Sequence, residues 1–178
     1  LFKNSRLIFP TYFILYSSGF LCSLLFRPQK SSEFSYLKKT KKEISGSDFL
    51  GNILDTSIMN GFETITKLGG YILIFSILQG ISSIALRSFP TLGYFLQGIT
   101  EITTGNAALS KASWSFDLLY PLILAFTSFG GLSVAAQTKS MLADTDLPFS
   151  SYLKGKICNF FCTFAIAFCL VKIVKVII

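Results

Sequence analysis

Phe95-Leu-Gln-Gly-Ile-Thr-Glu-Ile-Thr-Thr-Gly-Asn106 is the first half of the stretch that decides the fold. The second half runs from Leu118 to Met141, with Thr127-Ser-Phe-Gly-Gly-Leu-Ser-Val-Ala-Ala-Gln137 at its centre. Glycines, hydroxyls, an amide and a carboxylate interrupt two apolar segments here. In a soluble core such interruptions are minor. In lipid, every backbone N–H and C=O they free must find a partner in protein or in a watery cavity. The interruptions therefore point to a site.

The composition sets the solvent. Among 178 residues, 51 % are hydrophobic and only 14 % are charged, against about 25 % charged in soluble domains. Four uncharged stretches stand out: Leu7–Phe26, Leu68–Leu86, Leu118–Ala136 and Ile157–Val171. The first three have 19 or 20 residues, close to the ~20 that a membrane helix needs. The fourth is extended by Val174-Lys-Val-Ile-Ile178, with Lys172 and Lys175 placed to snorkel. These segments are apolar all round, whereas a soluble core helix keeps a polar face. The expected fold is all-α: a single polytopic membrane bundle over residues 1–178.

Taken in order, Lys3 and Arg6 precede the first span, and Arg27-Pro28 ends it. Ser17-Ser-Gly19 within it suits close helix packing. Leu7–Phe26 is too long for a signal peptide and lacks a small-residue cleavage site. Residues 28–47 read as a polar basic loop that can touch anionic lipid. Ser47 or Asp48 can cap an amphipathic helix over 49–67, expected to lie along the interface before the second span. Pro90 breaks the chain after that span. The ten residues from Thr91 to Thr100 are too short to cross. Thr91–Ser113 is therefore read as a re-entrant helical hairpin with its tip at Glu101-Ile-Thr-Thr-Gly-Asn106 and Trp114 at the interface. Asp117 can cap the next span, with Pro121 in its first turn. That span is broken near Thr127-Ser-Phe-Gly-Gly131. Ser150 or Ser151 begins the last helix. Asp144 and Asp146, beside Lys139, read as solvated loop carboxylates.

Charge gives orientation. Segments 27–67 and 139–156 together carry ten Lys/Arg residues, against six on the opposite side. If 91–113 enters and leaves on one face, those ten share a side, which the positive-inside rule makes cytoplasmic. The net charge of +7 is thus read as topology. No wet basic surface is left for nucleic acid.

Catalysis finds no footing. Histidine is absent, so no Ser/His/Asp or Cys/His set can form, and there is no Walker-type loop. Cys22, Cys158, Cys162 and Cys169 all fall in apolar segments and read as small hydrophobes in packed helices, not as metal ligands. What remains is a solute site without a cofactor. Candidate binding residues are Glu101, Thr103, Thr104, Gly105 and Asn106 on the hairpin, with Thr127, Ser128, Gly130, Gly131, Ser133 and Gln137 on the broken helix. A hairpin tip meeting a broken helix is a recurrent layout of secondary transporters. Glu101 can bind a coupling proton or sodium ion, or bond the solute, if it lies deep. If the hairpin is shallow, it sits at the surface. Gly130-Gly131 can instead be a tight helix contact, and Ser133 and Gln137 interhelical glue.

Several of these motifs carry a resemblance. Glu101-Ile-Thr-Thr-Gly105, Ser128-Phe-Gly-Gly-Leu-Ser133 with Gln137, and Tyr152-Leu-Lys-Gly-Lys156 resemble the C-terminal half of the sporulation integral membrane protein YlbJ family, in the nucleoside-recognition (Gate) superfamily. The resemblance implies a multi-pass membrane protein of endospore formers. It implies transport of a small anionic or nucleoside-like solute, dipicolinic acid, across the membrane around the forespore. It also implies the second half of a larger transporter, completed by another chain or by a second copy. Leu1 in place of methionine fits a fragment, a split gene or an alternative start. A scaffold that assembles with partner proteins in sporulation, without transporting, is the alternative. The chain itself holds no convincing internal repeat.

Overall fold

A computed structural model describes residues 7–26, 49–142, 145 and 147–177. The basic loop 28–47, its Ser47 or Asp48 cap, and Asp144 and Asp146 lie outside the described residues. Among the described residues seven helices follow in order: α1 (Ile8–Leu25), α2 (Phe49–Ala85), α3 (Pro90–Thr100), α4 (Ile102–Leu109), α5 (Phe116–Phe129), α6 (Gly131–Met141) and α7 (Phe149–Ile177). Among the described residues four stretches are long and apolar enough to cross a membrane: α1, α2, α5 with α6, and α7. The protein is an all-α polytopic membrane bundle, as its composition requires.

The centre is α5–α6. Of its most apolar 18 residues, 67 % are buried, against 17 % for α1, 11 % for α7 and 6 % for α2. Leu109, Leu119, Leu122, Ile123 and Phe126 form one core between α4 and α5, and Tyr94, Trp114, Phe160 and Phe164 close around it. Ile14, Tyr120, Leu124 and Ala167 form a second core where α1, α5 and α7 meet. Side chains also fix the direction of these helices. Asp117, at the start of α5, lies 3.5 Å from Lys172 near the end of α7. At the other end of α5, Lys156 reaches Ser128. The two helices are therefore antiparallel. A hydrogen bond of 2.8 Å from Thr163 to Ser18 joins α7 to α1 with both residues buried, so Ser18 does serve helix packing.

The hairpin takes the re-entrant form. Helix α3 starts at Pro90, whose missing N–H does no harm at N1. One extended residue, Glu101, turns the chain, and α4 runs back along α3. Tyr94 meets Trp114 edge-to-face at 6.1 Å, so entry and exit share one side.

Four local expectations are corrected. The stretch 49–67 is not a separate interfacial helix, because α2 is continuous for 37 residues. At 1.5 Å per residue it is roughly 55 Å long, well beyond the ~30 Å hydrocarbon core. Nothing between Gly51 and Ala85 breaks it, since this stretch contains no proline. Ser115, not Asp117, is the N-cap of α5; Asp117 is in the first turn, and Pro121 lies inside the helix. The hairpin turns at Glu101, while Thr103, Thr104, Gly105 and Asn106 are helical in α4. Likewise Thr127 and Ser128 are helical, and the break begins at Gly130. Hydroxyls explain the last point: Thr127 donates to the carbonyl of Ile123 at 2.7 Å and Ser128 to that of Ala125 at 2.8 Å. Such back-bonding is satisfied within a helix and does not end it.

Candidate functional site

The hairpin corner is built around Glu101, which is only 3 % exposed. Its backbone is extended, so its side chain folds over the first turn of α4 as an N-cap. The carboxylate accepts the backbone N–H of Thr103 at 3.1 Å and of Thr104 at 2.9 Å. The hydroxyls of Thr103 and Thr104 lie at 2.5 and 2.8 Å from it. An ionised carboxylate offers about four acceptor positions; the two N–H groups and the Thr103 hydroxyl occupy three, and the Thr104 hydroxyl lies within reach of the fourth. The capping sequence is thus Glu-x-Thr-Thr, and it satisfies orphan N–H groups that lipid cannot.

Gln79 ties α2 to this corner. It is 4 % exposed and donates its amide to the carbonyl of Gln97 at 2.7 Å. Its side-chain oxygen takes the hydroxyl of Thr104. That hydroxyl has one proton and two acceptors, Gln79 and Glu101, so the three residues form a single network. Gln79 was not among the candidates read from the sequence. Its signal was an uncharged amide in an apolar span, a group that needs an internal partner there.

The hairpin is tight. A Cβ on Gly105 would collide with the Gln97 carbonyl and stand 2.8 Å from Gly98 Cα. A Cβ on Gly98 would meet Phe126 at 2.9 Å. Only glycines at these crossings let α3, α4 and α5 approach so closely.

The broken helix meets this corner. Gly130 and Gly131 have φ of 87° and 78°, a region open to glycine and costly for other residues. A Cβ on Gly131 would stand 3.2 Å from the carbonyls of Ile99 and Thr100 and 3.3 Å from Glu101 Cα. The start of α6 is thus packed on the end of α3. Its first N–H groups and the last carbonyls of α3 present complementary dipole ends. On the other side of the break, the ammonium of Lys156 donates to the Ser128 carbonyl at 3.1 Å, neutralising the exposed C-terminal end of α5. Lys156 too was missed by sequence reading, because its role depends on α7 lying antiparallel to α5.

The remaining candidates divide. Asn106 donates to the Thr127 hydroxyl at 3.0 Å, linking hairpin and broken helix directly. Its own carbonyl oxygen is buried, with no hydrogen-bond partner among the described residues. Asn106 and Thr127 face a groove of about 450 Å³ between α1, α4 and α5, which Thr11 and Ser110 also line. Ser133 and Gln137 bond to each other at 3.1 Å along α6. They share a face, with Ser133 1 % exposed. The described geometry therefore gathers Glu101, Thr103, Thr104 and Gly131 at the corner, and Asn106 and Thr127 at the groove.

Comparison with known proteins agrees with the motifs. The chain is similar to the sporulation integral membrane protein YlbJ of Bacillus subtilis (strain 168). The two are 28 % identical over 126 residues, covering 61 % of this chain and 31 % of that protein. The chain thus matches about a third of its relative's length. No protein-family model matches it, and no solved structure shows significant similarity.

Proposed function

We propose that the chain is part of a membrane transporter for a small anionic solute, by similarity to YlbJ a component of endospore formation, with dipicolinate as its solute. The observation that carries this reading is the junction of the hairpin corner with the helix break, Gly131 against Ile99, Thr100 and Glu101. Two discontinuous helices meeting inside an apolar bundle are costly unless their free ends serve a ligand. The solute enters the groove between α1, α4 and α5. There the Asn106 amide and the Thr127 and Ser110 hydroxyls orient its carboxylates. Glu101 shapes this site by holding α4. It takes a coupling proton or sodium ion only by releasing its threonine donors, and that release is the step that links ion to solute.

The site is completed by the rest of a larger assembly, a second half-transporter chain or a second copy, and by lipid around α2. The lysine-rich loop 28–47 faces the cytoplasm, and the membrane is the one surrounding the forespore.

One observation favours the scaffold reading: the Glu101 carboxylate is engaged by two N–H groups and a hydroxyl of its own hairpin. Solute uptake into vesicles carrying the full chain with its assembly partners separates the two. Transport predicts that Asn106→Ala and Glu101→Gln each reduce uptake at least tenfold while the protein still inserts. Unchanged uptake in both variants leaves the corner as packing and favours the scaffold.

A further inference from the structure

The cysteines that looked like separate small hydrophobes converge. Cys158 and Cys162 lie one turn apart on α7, with sulfurs 4.0 Å apart. Helix α1 brings Cys22 to them, its Sγ 3.7 Å from that of Cys158. All three sulfurs lie within 4.8 Å of one another. A metal bound to three sulfurs at about 2.3 Å needs them roughly 3.8–4.0 Å apart. The thiols therefore already have nearly the spacing of a three-sulfur coordination shell.

The register is held independently. The buried Thr163–Ser18 hydrogen bond lies one turn from the cluster, and Ser18 precedes Cys22 by one turn on the same face of α1. Cys22 is buried, while Cys158 and Cys162 are partly exposed, which leaves an approach for an ion. The fourth cysteine, Cys169, is exposed and outside the cluster.

We propose that Cys22, Cys158 and Cys162 form a three-thiolate site for a thiophilic d10 cation, of the Zn2+ or Cu+ kind, that clamps α1 to α7. Soft thiolates select such ions over Mg2+ or Ca2+. Binding forms three metal–sulfur bonds and releases three thiol protons to solvent; no electrons move. A disulfide would use two of the sulfurs, need an oxidant and leave the third idle. The metal uses all three. The ion carries one or two positive charges against three thiolates, which is far less costly in lipid than free thiolates.

The test uses the full chain in detergent with a thiol-free reductant. Samples are loaded separately with Zn2+ and Cu+, freed of excess ion, and the metal per chain is counted. One ion per chain in at least one arm is expected, and the arms tell which ion it is. Cys22→Ser should weaken retention roughly 100-fold or more, while Cys169→Ser retains the ion. A second readout needs no variant: the bound ion should slow alkylation of Cys22, Cys158 and Cys162 and leave Cys169 unchanged. No retained ion in either arm overturns the site, as does equal loss in Cys22→Ser and Cys169→Ser. So does loss of two thiols per chain to a Cys22–Cys158 disulfide.

Discussion

Two glycine pairs in this chain have the same sequence and opposite fates. Gly69-Gly70 lies inside α2, an unbroken helix, and a Cβ on either residue would meet nothing within 4 Å among the described residues. Gly130-Gly131 ends α5 and starts α6 with left-handed φ, and a Cβ on Gly131 would press on three backbone atoms of the hairpin. A glycine doublet therefore permits a break but does not cause one. What differs is the surroundings. Among the described residues α2 has few neighbours, with 6 % of its most apolar 18 residues buried, so its backbone is satisfied by staying helical. At Gly130 the end of α3 packs directly against Gly131, and the ammonium of Lys156 on α7 takes the Ser128 carbonyl. The break is made by the tertiary structure, and glycine lowers its cost.

The largest test of that contrast is at the tightest crossing. Gly105→Val puts a branched side chain against the Gln97 carbonyl and Gly98, backbone that cannot move without opening the hairpin. Overpacking of this kind costs about 3 kcal/mol or more. Thermal unfolding in detergent should show a large loss of stability or no folded fraction. Wild-type stability in this variant would mean that α3 and α4 are not packed as described. Next is Gly131→Ala. A left-handed alanine costs ~1–2 kcal/mol, and contacts of 3.2 Å to two carbonyls add to it. The same change at Gly70 should do no harm. Equal effects at the two positions would break the comparison.

Glu101→Gln should cost less, ~1–3 kcal/mol, because the amide keeps one acceptor oxygen but turns an NH2 toward the donors of Thr103 and Thr104. The measurement is again unfolding in detergent, with Glu101→Ala expected to be worse. If glutamine is neutral for stability yet abolishes uptake, charge at the corner serves transport and not the cap.

Much of this was legible. Apolar runs near 20 residues gave the spanning helices, and the short run from Thr91 to Thr100, closed by Glu101, gave the hairpin. The lack of polar faces gave the solvent. Positions within a span were harder. Thr103, Thr127 and Ser128 looked like helix breakers because small polar residues are rare in such spans, yet their hydroxyls bond locally or to the cap and leave the helix intact. The turn fell instead at Glu101, which can reach two N–H groups of the following turn. Long-range partners left no mark in the sequence. Gln79 with Gln97, Lys156 with Ser128, and Cys22 with Cys158 depend on which helices lie side by side, and no local pattern encodes that.

The smallest effect concerns the open pair itself. Gly69→Ala should stabilise the chain by ~0.5–1 kcal/mol, since alanine restricts the unfolded backbone and its Cβ meets open space. The change is modest, but its context dependence is informative. Measured on the isolated chain in detergent, it reports only the helix. Measured in the native membrane, it reports what covers α2. Gly61, Gly69 and Gly70 lie in a helix on which Leu73 and Ile77 are more than 60 % exposed. If lipid covers that helix, Gly69→Ala and the bulkier Gly69→Leu both leave function intact. If a second half-transporter packs there, Gly69→Leu should release it from co-purification while the chain itself stays folded, because only a close helix neighbour can detect a side chain that the chain's own fold leaves room for.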